Sequence, residues 1–372
     1  MAATKAAISL WRRLLALLGG VLSGFLATGS ARAVDLPADN AEALFHYYSG
    51  GGVTADGPAL LVRKSIYDKV SLSGTYFVDA VSNASIDVVT TASKFHETRT
   101  EYGLSADYVY RDSQITIGGL SSHEPDYTAN TGSIDVTQEV FGGMTTVALG
   151  YSRGQDTVLK HNSPEFRDYA KHWQYRLGIT QILTPRWLMS LNTEILADEG
   201  YLGSPYRDAR VFGAFVPERN PRTRSGRALN LRVVGDLGWR NAMHASYRYY
   251  WDTWEIKAST AELGYSQYFG DAWLADFFLR YYTQTKALFY FDDAPTQTTF
   301  VSRNRQLSNF NDESLGAKIS YTVKKVPGRY DVKLNAAYEY TRYQYKDFTD
   351  VRTGNLYGYS ANVVQMFVTA TY

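Results

Sequence analysis

Segments of roughly ten to fifteen residues in which apolar and polar side chains alternate recur along this chain, divided in turn by tight turns and longer polar loops. Period-two alternation places successive side chains on opposite faces of a strand. The tight turns are Asp68-Lys69, Arg111-Asp112, Gly142-Gly143, Thr184-Pro185, Arg240-Asn241, Gly270-Asp271 and Val326-Pro327-Gly328. Each supplies a fixed proline φ, a positive φ or a side chain that bonds its own backbone. The seven hairpins they make give fourteen strands. Longer connections fall at Ala80–Glu97, His123–Thr131, Asp156–Asp168, Glu199–Ser225, Asp252–Trp254, Gln284–Asn311 and Tyr345–Tyr357. Short turns on one rim and long loops on the other characterise outer-membrane barrels, whose long loops face outward.

The faces are chemically distinct. In Leu315–Lys324, the residues Leu315, Ala317, Ile319, Tyr321 and Val323 oppose Lys318, Ser320, Thr322 and Lys324. Trp187–Ile195 and Asp331–Thr341 read the same way. At the carboxyl end Val364, Met366, Val368, Ala370 and Tyr372 share one face, opposite Gln365, Thr369 and Thr371, with Phe367 as the exception. A charged face can adjoin lipid nowhere near the midplane, where it costs about 2–4 kcal/mol, so the polar face must line a lumen. An open edge would leave backbone groups unpaired in hydrocarbon, so the sheet must close. The expected fold is all-β, an antiparallel transmembrane barrel of about sixteen strands, within fourteen to eighteen. Glu42–Ser49 supplies the first strand, followed by a glycine-rich loop Gly50–Pro58, and Tyr359–Tyr372 supplies the last. A secreted β-sandwich or solenoid is the rival reading, and strands this long argue against it. The final strand, ending on Tyr372, is the expected assembly signal for the barrel-assembly machinery.

Residues 1–33 read as a cleaved secretory signal peptide, leaving 34–372 as the barrel. Lys5, Arg12 and Arg13 precede the apolar stretch Leu14–Ala27, and Ala31-Arg32-Ala33 offers small residues for cleavage. An amino-terminal anchor is disfavoured because that stretch is too short to span the bilayer. Taking Lys5, Arg12, Arg13 and Arg32 from the 38 basic residues leaves 34 against 37 acids, a formal net charge of −3. A nucleic-acid binder would be strongly basic. The chain has no cysteine, which removes disulfides, thiol catalysis and cysteine-held haem or iron–sulfur clusters. Thirty tyrosines with a negative mean hydropathy suit interfacial aromatic girdles around a wet interior.

Tyr48-Ser49-Gly50-Gly51-Gly52-Val53, Asp56-Gly57-Pro58 and Val62-Arg63-Lys64 resemble the opening of a bacterial family, the domain-of-unknown-function family numbered 3570. The similarity continues through Asp79, Ser85–Ser93, Glu97–Tyr102, Asp198–Leu202 and Pro205-Tyr206-Arg207, and extends over essentially the whole mature chain. The resemblance implies a Gram-negative outer-membrane barrel. Genes of the family tend to lie near a small lipoprotein, a thioredoxin-like protein and a flavin-transferring enzyme, so it also implies a periplasmic redox or lipoprotein partner.

No residue is nominated as catalytic, cofactor-binding or metal-binding. The histidines His46, His96, His123, His161, His172 and His244 form no metal-binding spacing. His123-Glu124-Pro125-Asp126 is the nearest approach to a hard-metal or acid–base cluster, and a solvated loop is the simpler reading. Arg207, Arg210, Arg219, Arg222 and Arg224, with Arg227 just beyond, are expected either to line a channel, by folding inward, or to touch lipopolysaccharide phosphates. Arg63 and Asp79 are expected to pair across the lumen wall. The Gly50–Pro58 and Ala80–Glu97 loops, the latter with Asp87 and Lys94, are expected to form a plug, a docking surface or a structural tuck. Two functions follow: a porin-like channel for small hydrophilic solutes or ions, and a non-conducting scaffold that docks the periplasmic partner. An outer-membrane enzyme is a third reading, and it lacks a nominated nucleophile and base.

Overall fold

The computed structural model describes residues 35–83, 85, 95–161 and 163–372. The expected signal segment 1–33, and Asp87 and Lys94, lie outside them. Strands β1 (Asn40–Gly50), β2 (Val53–Tyr67), β3 (Val70–Asn83), β4 (Phe95–Tyr110), β5 (Ser113–Glu124), β6 (Tyr127–Val140), β7 (Thr145–Leu159), β8 (Arg167–Thr184) and β9 (Trp187–Gly200) make the first part of a ring. A separate hairpin follows, β10 (Asp208–Val211) with β11 (Ala214–Pro217). The ring resumes with β12 (Thr223–Gly238), β13 (Asn241–Asp252), β14 (Lys257–Phe269), β15 (Trp273–Gln284), β16 (Phe310–Val326), β17 (Tyr330–Thr349) and β18 (Leu356–Thr371). Sixteen strands close the barrel, every neighbouring pair antiparallel. The seam joins β1 to β18 in an unbroken register from Asn40–Thr371 to Gly50–Ala361. Closure satisfies the backbone of both terminal strands, the requirement that hydrocarbon imposes.

Each of the seven expected tight turns lies at, or within a residue of, a turn on the rim that also carries both ends of the barrel. This is the periplasmic rim. The opposite, extracellular rim departs from expectation in three places. Gly50–Pro58 is no loop: Gly51 and Gly52, at φ of 60° and 79°, make the turn, and Val53–Pro58 already belongs to β2. His123–Thr131 shrinks to the turn Pro125-Asp126, and β17 runs on to Thr349. The physical reason is common to all three. Strands of up to 20 residues outrun the 9–11 that a tilted span needs. Above the membrane both faces meet water or protein, so the apolar–polar alternation that marks a strand in sequence fades.

Within the span the alternation holds. Leu263, Leu279 and Leu315 stand side by side on β14, β15 and β16, at 50, 58 and 55 % exposure, and form one apolar row facing outward. On β18, Met366 and Val368 are exposed outward while Gln365 is buried inside, and Tyr372 just beyond the strand is exposed too. Replacing Leu279 by Arg is expected to lower unfolding free energy in lipid vesicles by about 2–4 kcal/mol. Urea titration measures it, and an unchanged midpoint would place this row away from lipid.

The periplasmic end of the seam is tied by Asp39. Its carboxylate accepts from Lys64 Nζ at 2.6 Å and from the Ser65 N–H at 2.5 Å, and its carbonyl accepts from the Tyr372 N–H at 2.9 Å. The ammonium also lies 4.9 Å from the Tyr372 ring centre. The Lys64 hydrogen bond, helped by Ser65, holds the Asp39 carboxyl down at about 2. A depressed carboxylate stabilises the fold above its ordinary value of 3.8, and that contribution is lost as pH falls toward 2. Asp39→Asn should therefore flatten the stability profile between about pH 4 and 2 and leave its shape at pH 7 unchanged. Thermal melts across that range check it.

Candidate functional site

The candidate site is the lumen and its extracellular mouth. Charged side chains line the wall, and many of them meet an oppositely charged partner on another strand. Asp276 and Lys318, opposite one another on β15 and β16, meet at 3.0 Å. Other pairs join strands two apart in the ring, a separation of roughly 10 Å at the backbone. They can meet because the strand between presents a small residue. His46 Nε2 on β1 reaches Asp79 Oδ1 on β3 at 2.6 Å, across Gly57 of β2. Arg176 Nη2 on β8 reaches Asp135 on β6 at 2.7 Å, across Gly150 of β7. Arg248 of β13 bonds Glu194 of β9 at 2.9 Å across β12, where Ala228 lies beside Glu194. Arg280 of β15 bonds Glu339 of β17 and also donates to Ser314 of the intervening β16, at 2.9 Å. In the Arg280–Glu339 bridge, where both side chains are nearly shut off from water, removing one partner would leave a buried charge at a cost of about 3–5 kcal/mol.

Arg63 and Asp79 do not pair. Arg63 lies level with Ser73 on β3, six residues from Asp79, or about 20 Å along the strand. Arg63 instead faces Asp107 at 3.9 Å, and Asp79 belongs to His46, whose ring stacks on Phe77 at 4.7 Å. Alternation alone places His46, His172 and His244 inward, which was the available signal. His172 is held between Asp156, at 2.8 Å, and Asp198, at 2.7 Å, and His244 meets Glu262 at 3.1 Å.

The mouth has two unlike halves. One is aromatic: Tyr48, Val53, Ala55 and Val81 from β1–β3, Phe310 from β16, Tyr343, Tyr345 and Phe348 from β17, and Ala361 from β18 form one buried cluster. The connection 285–309 folds onto it and contributes Ala287, Phe289, Tyr290 and Leu307, while Trp254 and Leu202 join from neighbouring loops. A short 3-10 helix, Arg305–Leu307, is capped by the Asn304 side chain. Arg303 donates to Asp292 at 2.7 Å and to the Thr349 carbonyl at 2.6 Å, and its guanidinium lies 4.4 Å from the Phe348 ring centre. The other half, β4–β7, is polar and acidic, with Arg99, Glu101, Ser122, Glu124, Asp126 and Asp156 all buried.

The arginine-rich connection forms a roof over these elements. Its β10–β11 hairpin is stitched to 285–309 by paired backbone bonds between Arg219 and Val301, both 2.9 Å, and by Phe212 N–H to the Ala294 carbonyl at 3.1 Å. Ala209, Val211, Ala294 and Val301 make a small apolar core there. Arg210 pairs with Asp293 at 3.3 Å, Arg222 grips Asp168 with two bonds of 2.8 and 2.7 Å, and Arg224 bonds Asp252 while lying 4.5 Å from the Trp254 ring centre. Arg219 donates to the Thr298 carbonyl at 2.8 Å, and Arg207 is buried. Four of the six arginines are thus engaged within the mouth, Arg210 and Arg219 with the connection 285–309, Arg222 with the end of β8 and Arg224 with the end of β13. Arg227 differs: it is exposed on the outward face, between Ile195 and Trp251. Burial pushes the loop hydroxyl of Tyr201 up to about 12, keeping it protonated there.

Gly57→Ala tests the small-residue bridges. A Cβ at residue 57 would lie 1.9 Å from the Val78 carbonyl oxygen, whereas at Gly74 it would come no nearer than 3.6 Å to any atom, the Leu104 side chain. Thermal unfolding should fall by several degrees for Gly57→Ala and stay unchanged for Gly74→Ala.

A family model described as "Protein of unknown function (DUF3570)" matches residues 91–368. No curated protein sequence matches the chain. Among solved structures, a bacterial polysaccharide outer membrane secretin aligns at 7 % identity over 89 % of this chain and 97 % of its own, with a TM-score of 0.50. OpdK of Pseudomonas aeruginosa, solved with vanillate, aligns at 10 % identity over 91 and 100 %, TM-score 0.45. A FadL homologue of the same organism aligns at 13 % identity over 91 and 90 %, TM-score 0.42. The fold is that of bacterial outer-membrane barrels.

Proposed function

The chain belongs to the DUF3570 family, and on that footing we propose that it is a porin-like channel passing small hydrophilic solutes or ions across the outer membrane, reached by cleavage of its signal segment. The observation that carries this reading is a sixteen-strand ring whose inner wall is lined by paired charges. A ring of that number leaves an aqueous lumen unless loops fill it. Connection 285–309 fills part of the mouth, so the passage is narrower than the ring itself. Because Arg210, Arg222 and Arg224 are matched by acids, the roof supplies no free guanidinium row to attract anions. Arg227 is the member of that set suited to lipopolysaccharide phosphate.

Planar-bilayer recording of the refolded protein tests this. The expected result is stable steps of small conductance. Phe289→Ala with Tyr290→Ala, which empties the aromatic half of the mouth, should raise the step size or lengthen openings several-fold. A sealed barrel in both forms would refute the channel and leave the scaffold for a periplasmic lipoprotein or redox partner.

A further inference from the structure

We propose that the outward face of β7, β8 and β12, near the extracellular rim, binds a phosphorylated glycolipid of the outer leaflet through Arg153, Lys171 and Arg227. The side chains on this face change character in a fixed order as the strands rise. On β7 the outward residues run Leu149, Tyr151, Arg153, and on β8 they run Leu177, Tyr175, Trp173, Lys171. Leu149 stands opposite Leu177, Tyr151 opposite Tyr175 and Arg153 opposite Trp173, so the two strands change together. On β12 Leu231 and Leu229 give way to Arg227, with Trp251 of β13 beside it. Aliphatic, then aromatic, then basic is the succession from hydrocarbon through the interface to a layer of anionic headgroups. The outward rows of β2 and β4 run differently, Leu60, Pro58, Asp56 and Leu104, Tyr102, Thr100, so the basic step is local to this sector.

The second observation is that these cations are unmatched by acids. Arg153 lies 5.9 Å from the Trp173 ring centre, and among the described residues Arg153, Lys171 and Arg227 take part in no ion pair. On the lumen wall and the roof, by contrast, Arg176, Arg222, Arg224, Arg248 and Arg280 all meet a carboxylate. Glu199 is level with Lys171 on β9 but does not pair with it. Asp168, at the head of β8, is already gripped by Arg222 through two bonds.

The spacing suits two phosphates on one lipid. Lys171 is level with Gln155, two residues above Arg153, which sets the two cations about 8 Å apart at the backbone. Their long side chains can close on one phosphate, Arg153 by bidentate contact and Lys171 as a point charge. Arg227 is level with Ile195 and, through it, with Tyr175, four residues below Lys171. It therefore stands roughly 16 Å from Lys171 and takes a second phosphate. The leucines beneath, Leu149, Leu177 and Leu229, offer acyl chains a surface for which free phosphate has no use. The part given to Arg227 rests on the reading of that residue made above; Arg153 and Lys171 stand without it, and neither depends on conduction.

The test uses the full mature chain, refolded in detergent free of lipopolysaccharide. Native mass spectrometry with bisphosphorylated lipid A should show one lipid per chain, preferred at least tenfold over phosphatidylglycerol. Arg153→Gln with Lys171→Gln should weaken that binding at least tenfold and Arg227→Gln several-fold, while Arg329→Gln, on a periplasmic turn, should not change it. Heat-modified gel mobility confirms that each variant is folded. Because lipid is counted without recording current, a failure here is distinct from a failure of the channel. Equal binding of phosphatidylglycerol or of dephosphorylated lipid A, displacement by millimolar inorganic phosphate, or unchanged affinity in the double variant or in Arg227→Gln would overturn the proposal.

Discussion

A backbone in hydrocarbon has no water to bond, and this one constraint generates the rest of the architecture. It requires that β1 find β18, which it does along its full length. A closed ring with lipid outside then requires apolar side chains at every second position and leaves the intervening ones facing a common interior. That interior is polar, so its charges need partners, and the partners must come from the wall itself. Since adjacent strands often cannot supply them, charges reach across a glycine, alanine or serine to the second strand along. The small residues of the inner face are thus an electrostatic device as much as a steric one.

The mouth obeys different rules because it lies above the membrane. There the long strands stand free of lipid, and the interior is divided into an aromatic half that grips connection 285–309 and an acidic half built on β4–β7. The first fills part of the mouth; the second concentrates buried negative charge beside it. A chain without cysteine has to stabilise such loops by means other than disulfides. It uses guanidinium groups: Arg210 and Arg222 join the connection between β9 and β12 to Asp293 and Asp168, Arg224 ties β12 to β13, and Arg303 ties the connection 285–309 to itself and to the end of β17.

Much of the ring was legible from sequence because hairpins are local. Alternation on each side of Gly142-Gly143 or Val326-Pro327-Gly328 fixes two strands, their turn and their faces at once. The interior partnerships were not legible. Arg63 and Asp79 share a hairpin and a face, yet register sets them six positions apart, and register depends on where each turn tightens. The arginines of 207–227 advertise an anion site by composition, but Arg222 and Arg210 find their acids in Asp168 and Asp293, far along the chain, and Arg224 finds Asp252 across the β12–β13 hairpin, a partnership set by register. Glu124 and Asp126 look like solvated loop residues for the same reason. Their burial comes from β4, β7 and the roof, none of which the tetrapeptide reveals.

The absence of native cysteine makes the central claim directly measurable. Single cysteines placed in turn along β18, in protein reconstituted into lipid vesicles, can be challenged with a membrane-impermeant thiol reagent. Positions 369 and 371 should label readily and positions 366 and 368 should resist, a two-residue rhythm of wet and greasy faces. Uniform labelling along the strand would mean that this sheet does not stand in lipid, and the closed-ring account would fail.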